Sequence, residues 1–250
     1  MKEKIYTIPV NDAYRSDCAC PLCRLRADVE NTSVEYFLGA SLMEPDTRIE
    51  TNKAGFCHDH YLLMYGKEIN RLGMGLIIHT HLQELSKDIG STLGKVAPDK
   101  RSLLKGRDSD FKRRLSDAAD QIEKRVNDCI VCHKIEFTMD RYLDVLLWLY
   151  FEDDAFRKVF SEKKGHCLAH VAFLLRGAAK YLTQNQAAEF AADLVSSHSS
   201  GFGEMIADVE GFTLKFDYRN KDKPWGNSKD AIPRAIAMLS GEDGKNNGRG

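Results

Sequence analysis

The chain has 250 residues, 43% of them apolar and 29% charged, with a formal net charge of −1. This is ordinary globular composition, which speaks against a collagenous, low-complexity or membrane-embedded chain. No apolar run reaches the ~18 residues that a membrane span needs, and near-neutral charge argues against a dedicated nucleic-acid binder.

The N-terminus, Met1-Lys2-Glu3-Lys4-Ile5-Tyr6, lacks the apolar core of a signal peptide. A cytoplasmic location is therefore expected, where thiols stay reduced. Residues 1–19 read as irregular, with a short extended piece over 5–10. The knuckle Cys20-Pro21-Leu22-Cys23 leads into a helix over 24–42, ended at Glu44-Pro45-Asp46 because proline cannot continue the ladder. Residues 46–54 read as a loop. From Cys57 one helix is expected to about residue 88. Leu62, Tyr65, Ile69, Leu72 and Leu76 recur along it at spacings of 3, 4, 3 and 4, the stripe of a core-facing helix. Gly73 and Gly75 would bend it or admit a close neighbour.

Residues 90–109 carry Gly90, Gly94, Pro98 and Gly106 among charges and read as a linker or mobile loop. The basic run from Lys95 to Arg114 includes Arg101, Arg107, Lys112 and Arg113. Few aromatics are interleaved, so it reads as a solvated loop and not as a nucleic-acid contact. Ser109 or Asp110 can cap the next helix, whose apolar face is Phe111, Leu115, Ala118, Ile122 and Val126. Residues 135–151 are the most apolar and predict the most buried helix. Glu152-Asp153-Asp154 suits the first turn of a short helix ending near 161. Helices follow over 167–182 and 186–214, the latter open to interruption at Gly201 and Gly203. An irregular arm over 216–227 contains the turn Pro224-Trp225-Gly226. A last helix spans 230–239, and 241–250 should be disordered. Strand-period alternation is nearly absent, so the expected fold class is all-α.

One pattern occurs twice. Cys20-Pro21-Leu22-Cys23 is followed by Gly55-Phe56-Cys57-His58-Asp59-His60, and Cys129-Ile130-Val131-Cys132 by Gly165-His166-Cys167-Leu168-Ala169-His170. The copies read C-x2-C-x33-C-x2-H and C-x2-C-x34-C-x2-H and take up six of the seven cysteines. Residues three apart on a helical turn point the same way, so two such pairs can converge on one ion. Each copy offers three thiolates and one imidazole, the ligand set of a closed structural zinc site. The expected ligands are Cys20, Cys23, Cys57 and His60 in the first copy, and Cys129, Cys132, Cys167 and His170 in the second. Two zinc ions per chain follow, with zinc preferred to an iron–sulfur cluster. Gly55 and Gly165 each stand two residues before the third cysteine, where a backbone without Cβ can turn sharply.

The repeat selects among other candidates. His60 is chosen over His58, because Leu168 stands where the second copy would need a histidine. Cys18 has Asn127 as its counterpart and falls outside the ligand set. Cys129-Ile130-Val131-Cys132-His133 also spells a haem attachment string, but Arg24 replaces His133 in the first copy. A thioredoxin-like C-x-x-C would need a preceding strand, which the helical flanks do not supply. His79 extends the apolar stripe and reads as a core histidine, whereas His81, His133, His166 and His198 have no assignable partner. The expected organisation is a first Cys3His lobe over 1–92, a linker over 93–108 and a second lobe over 109–215. A C-terminal arm and helix over 216–240 and a tail over 241–250 complete it. Two such lobes suggest duplication, with a pseudo-twofold arrangement as its natural outcome.

These tandem motifs, with the tail Phe216-Asp217-Tyr218-Arg219, Pro224-Trp225-Gly226 and Lys229-Asp230-Ala231, resemble a family of uncharacterised bacterial proteins of unknown function. The resemblance covers roughly 14–240 and implies no activity or substrate. No phosphate loop, nucleophile elbow or H-E-x-x-H string is present, so no catalytic residue is identified. The expected function is a zinc-stapled adaptor or regulator that binds a protein partner, with neither nucleic acid nor membrane as a partner. The alternatives are an enzyme with a pocket between the lobes and structural zinc, and a redox sensor using Cys18 with a zinc thiolate. A deep pocket of convergent polar residues would favour the enzyme, and a broad exposed apolar groove the adaptor.

Overall fold

The computed structural model describes residues 4–97, 110–163 and 165–241. Among the described residues the fold is all-α, with no strand. The helices are α1 (Thr7–Arg15), α2 (Pro21–Leu38), α3 (Pro45–Ala54), α4 (His58–Gly66), α5 (Arg71–Val96) and α6 (Phe111–Val126). Then come α7 (Ile130–Glu152), α8 (Asp154–Glu162), α9 (Leu168–Tyr181), α10 (Gln184–Leu214) and α11 (Ala231–Ser240). No described helix is long and apolar enough to cross a membrane.

The chain forms two compact units, one of Met1–Val29 with Glu136–Gly250, the other of Glu30–Ile135. This division does not follow chain order as the lobes 1–92 and 109–215 would. Its cause lies in the first residues. Residues 5–10 are not extended: a 3-10 turn at Lys4–Tyr6 runs into α1. Val10, Ala13 and Tyr14 are buried, which is helical spacing that a strand reading overlooks. Tyr14 packs 5.1 Å from the Phe156 ring and 5.7 Å from that of Phe160. The N-terminal helix is thereby bound to the C-terminal half of the sequence.

In this first unit, Tyr150, Phe160 and Phe190 meet edge-on or tilted at centroid separations of 5.0–5.3 Å. The C-terminal part of α7 is deeply buried, with Val145, Leu146, Leu147, Leu149 and Tyr150 all inside. Gly177 lets α9 approach it, since a Cβ there would fall 2.5 Å from Leu143 Cδ2. Asp153 caps α8 by accepting from the Ala155 and Phe156 amides at 2.9 and 3.1 Å. Thr183 and Gln186 form a capping box that starts α10. Gly201 and Gly203 leave α10 unbroken, and Gly201 is buried. The arm over 216–227 holds 3-10 turns at Tyr218–Asn220 and Gly226–Ser228.

In the second unit, Phe56 packs against Phe37 and Tyr61 at 5.6 and 5.4 Å. Residues 46–54 form helix α3 and not a loop. Pro45 serves as its first residue, where proline's fixed φ suits a helix start, and Thr47, Thr51 and Ala54 face inward. The single helix expected from Cys57 to 88 is two helices. Glu68 has a positive φ of 57°, and the Asn70 side chain accepts from the Gly73 amide at 2.8 Å and donates to the Leu38 carbonyl at 2.9 Å. That cap restarts the chain as α5. The break turns the predicted stripe outward: Leu62, Tyr65, Ile69, Leu72 and Leu76 are all exposed, Leu72 at 76%. Met64, Met74, Ile77 and His81 face inward instead. His79, expected in the core, is exposed. Gly73 does admit a close neighbour, Leu42, whereas Gly75 faces open space. On α6, Ala118 is buried but Leu115 and Val126 are exposed. Asp110 precedes that helix and pairs with Arg113 at 3.6 Å. The expected helix end near 88 and loop from 90 are corrected, since α5 continues to Val96 and includes Lys95; Ser109, residues 98–108 of the linker and the tail beyond 241 lie outside the described residues.

Candidate metal centres

The eight predicted ligands gather into two groups of four, with their partners exchanged. Cys20 and Cys23 meet Cys167 and His170; Cys57 and His60 meet Cys129 and Cys132. Within each group the ligand atoms all lie within 4.8 Å of one another. The first group lies wholly in the first unit and the second wholly in the other. The knuckle of each sequence copy thus serves the C-x2-H of the other copy, contrary to the expected pairing within copies. The spacing of a C-x2-C or C-x2-H pair is a local property and leaves the choice of partner to the tertiary fold. One backbone contact marks the exchange: the Ile130 amide donates to the Gly55 carbonyl at 3.1 Å.

Each centre is built at the starts of two helices. Cys20 precedes α2 and its carbonyl accepts from the Arg24 amide, while Cys23 lies in the first turn. Cys167 is the N-cap of α9, with His170 one turn along. In the second centre Cys57 is the N-cap of α4 with His60 in its first turn, and Cys129 and Cys132 straddle the start of α7. Helix N-termini carry partial positive charge and favour thiolates. Gly55 and Gly165 take φ of 68° and 111°, the left-handed turns that a glycine permits. Behind each lies a histidine. A Cβ on Gly55 would fall 2.5 Å from His81 Nε2, and one on Gly165 3.3 Å from His198 Nδ1.

In the first centre, His170 Nδ1 is 3.1 Å from Cys167 Sγ, 3.3 Å from Cys23 Sγ and 3.5 Å from Cys20 Sγ. Cys23 Sγ and Cys167 Sγ are 3.6 Å apart. In the second, His60 Nδ1 is 3.1 Å from Cys57 Sγ, 3.2 Å from Cys129 Sγ and 3.5 Å from Cys132 Sγ. Cys57 Sγ and Cys132 Sγ are 3.9 Å apart. Both centres present Nδ1. A tetrahedron with zinc bond lengths has edges of roughly 3.8 Å between sulfurs and roughly 3.5 Å from sulfur to nitrogen. Donor set and spacing therefore fit one tetrahedral ion per centre. All seven cysteines are free thiols.

A family model described as a family of unknown function, DUF6062, matches residues 1–246. The chain belongs to that family. No curated protein matches it, and no solved structure does.

In both centres the close-packed donors shift one another's proton affinity. Burial opposes charge on His60, but the Cys129 sulfur and the Glu30 carboxylate outweigh it and raise its pKa to about 10. Burial likewise opposes the Cys129 thiolate, yet the hydrogen bond with His60 brings that thiol down to about 6. Cys167 is driven far down by hydrogen bonds from Cys20 and then Cys23, and Cys20 is driven up by the same contacts. Outside the ligands the centres differ. His60 Nε2 reaches Glu30 Oε1 at 3.1 Å, the carboxylate–histidine arrangement that fixes ring orientation in metal sites.

The first centre borders a cavity of about 570 Å³ lined by Cys18, Lys163, His166, Cys167, Glu204 and Arg234 among others. His166, for which the sequence suggested no partner, is buried there with Nε2 2.7 Å from the Tyr14 hydroxyl. Cys18 lies near its own knuckle, within 3.3 Å of Ser16 Oγ, and outside both ligand groups. His133 pairs with Asp128 at 3.0 Å and not with a metal group.

Proposed function

We propose that this protein holds two structural zinc ions and works as an adaptor that binds a protein partner in the cytoplasm. The observation that carries the metal reading is the convergence of four donors, three sulfurs and one Nδ1, in each of two centres. Such a complete set leaves no protein-side vacancy for a substrate, as a catalytic zinc requires. Zinc suits three thiolates and an imidazole better than hard cations do. The partner reading is supported by the apolar surface of α4 and α5. Leu62, Tyr65, Ile69 and Leu72 are exposed there beside a groove of about 400 Å³ walled by Tyr61, Met74, Ile78, Leu82 and Leu85. Exposed apolar patches of this kind mark interaction sites.

Elemental analysis of the purified protein should give two zinc ions per chain; iron, or no metal, would contradict the reading. A photo-reactive residue at position 72 should cross-link one protein species in the native cell, and a blank result would count against the adaptor. The polar cavity beside the first centre favours a second reading, an enzyme whose zinc is purely structural. Turnover or binding of a small molecule that is lost on Arg234→Ala would support it.

A further inference from the structure

We propose that the second centre is a peroxide-sensitive thiol site, in which Cys57 and Cys132 are oxidised to a disulfide and the zinc ion is released. The inference rests on the zinc reading above and adds a reaction to one of its two centres. Three observations single out this pair. Cys57 and Cys132 are half-buried, whereas their co-ligands Cys129 and His60 are 0% and 3% exposed. The two cysteines of this centre that keep some exposure are thus the two whose sulfurs are already 3.9 Å apart. Disulfide bonding brings sulfurs to about 2.05 Å, a closure of the kind that small side-chain rotations supply. Each sulfur also sits at a helix start, Cys57 as the N-cap of α4 and Cys132 in the first turn of α7. Bound metal keeps both as thiolates, the nucleophilic form.

The first centre lacks this access. Cys20, Cys23 and Cys167 are 1%, 5% and 1% exposed. The chain at Gly241, which ends α11 with a φ of 90°, lies over two of them: a Cβ there would be 3.4 Å from Cys23 Sγ and 3.6 Å from Cys167 Sγ. Cys167 forms part of a cavity wall, yet its side chain presents almost no surface to that space. The two centres therefore share a ligand set and differ in reach.

The chemistry is that of hydrogen peroxide with two thiolates. The Cys57 thiolate attacks one peroxide oxygen and expels hydroxide, forming a sulfenic acid. The Cys132 thiolate attacks that sulfur, forms the S–S bond and expels a second hydroxide. The thiolate pair loses two electrons, one peroxide gains them, and two solvent protons convert the hydroxides to water. Cys129 and His60 remain, too few donors to keep a closed site, and Zn²⁺ leaves. The disulfide joins the same two helix starts as the ion did, so α4 stays tied to α7.

The test treats the full-length, zinc-loaded protein with graded hydrogen peroxide. A chromogenic chelator follows zinc, and peptide mass spectrometry maps the linkage. The expected result is release of one zinc per chain with a Cys57–Cys132 disulfide, reversed by a thiol reductant and added zinc. Cys18→Ser should behave as the parent, since Cys18 ligates neither centre. Disulfides among Cys20, Cys23 and Cys167, loss of the response in Cys18→Ser, or two zinc ions retained at millimolar peroxide would overturn the proposal. Metal analysis before oxidation separates the two readings. Two zinc ions that resist peroxide defeat the oxidation site alone, whereas a protein without zinc defeats both.

Discussion

His60 is held at both ring nitrogens, by three sulfurs at Nδ1 and by Glu30 at Nε2. Replacing Glu30 with glutamine keeps the shape and removes the charge that aligns the ring. Loss of such a partner typically weakens metal affinity about 10–100-fold, so Glu30→Gln should give up one zinc to a competing chelator well before the other. Equal retention of both ions would show that the carboxylate has no part in holding the ligand. A second residue-scale expectation concerns acid. The Asp140 carboxylate is held below its ordinary value of 3.8 by the Tyr181 hydroxyl and then by Lys180. A depressed folded-state pKa gives stability that is present above the unfolded value and lost as pH falls through the folded one. The contribution is small because the pair is solvent-exposed and screened. Tyr181→Phe should raise the Asp140 pKa, as followed by carboxyl NMR, and an unmoved titration would contradict the assignment. At this scale the sequence was informative where the repeat supplied a comparison. Leu168 selected His60 over His58, and Gly55 and Gly165 do adopt the positive φ their positions implied. His81 and His198 were left without an assigned partner, because their positions behind those glycines depend on tertiary packing.

Four helices, α2, α4, α7 and α9, begin at the ligand cysteines, so the metal motifs double as start signals. That is why the helices after each knuckle, the buried α7 and the Asp153-capped α8 could be read from residue order. The failures share a different cause. An apolar stripe gives a helix's period but not which face is covered. The Asn70 cap between α4 and α5 broke the period and left Leu72 in solvent. Pro45 was read as a stop when its place was the first residue of α3. Packing energetics test the element scale most simply in the first unit, where Phe160 is 0% exposed and touches the rings of Tyr14, Tyr150 and Phe190. Truncating a buried phenylalanine to alanine costs about 3–5 kcal/mol. Phe160→Ala should show that loss by denaturant unfolding with zinc retained, and a change below about 1 kcal/mol would mean the cluster is not the core described.

At the level of the molecule, the exchanged pairing sets what the proposed ions would do. Cys23 and His170 are 147 residues apart in sequence, and Cys132 and His60 are 72 apart. Pairing within copies would close loops of under forty residues. Each doubling of a loop adds roughly 0.6 kcal/mol to its closure entropy in the unfolded chain, so the exchanged ions constrain more chain than local ones would. On the zinc reading they would also bind the N-terminal helices to the C-terminal half, and neither half of the sequence holds a complete donor group. Residue order alone could not reveal this, because both copies offer the same donors at nearly the same spacing. Double substitution decides the pairing directly. In the exchanged arrangement Cys23 and Cys167 belong to one donor group, so, on the zinc reading, Cys23→Ser with Cys167→Ser should leave one zinc per chain by elemental analysis. Cys23→Ser with Cys57→Ser should leave none. One zinc in the second variant and none in the first would contradict the exchanged pairing and restore ligand sets confined to each copy.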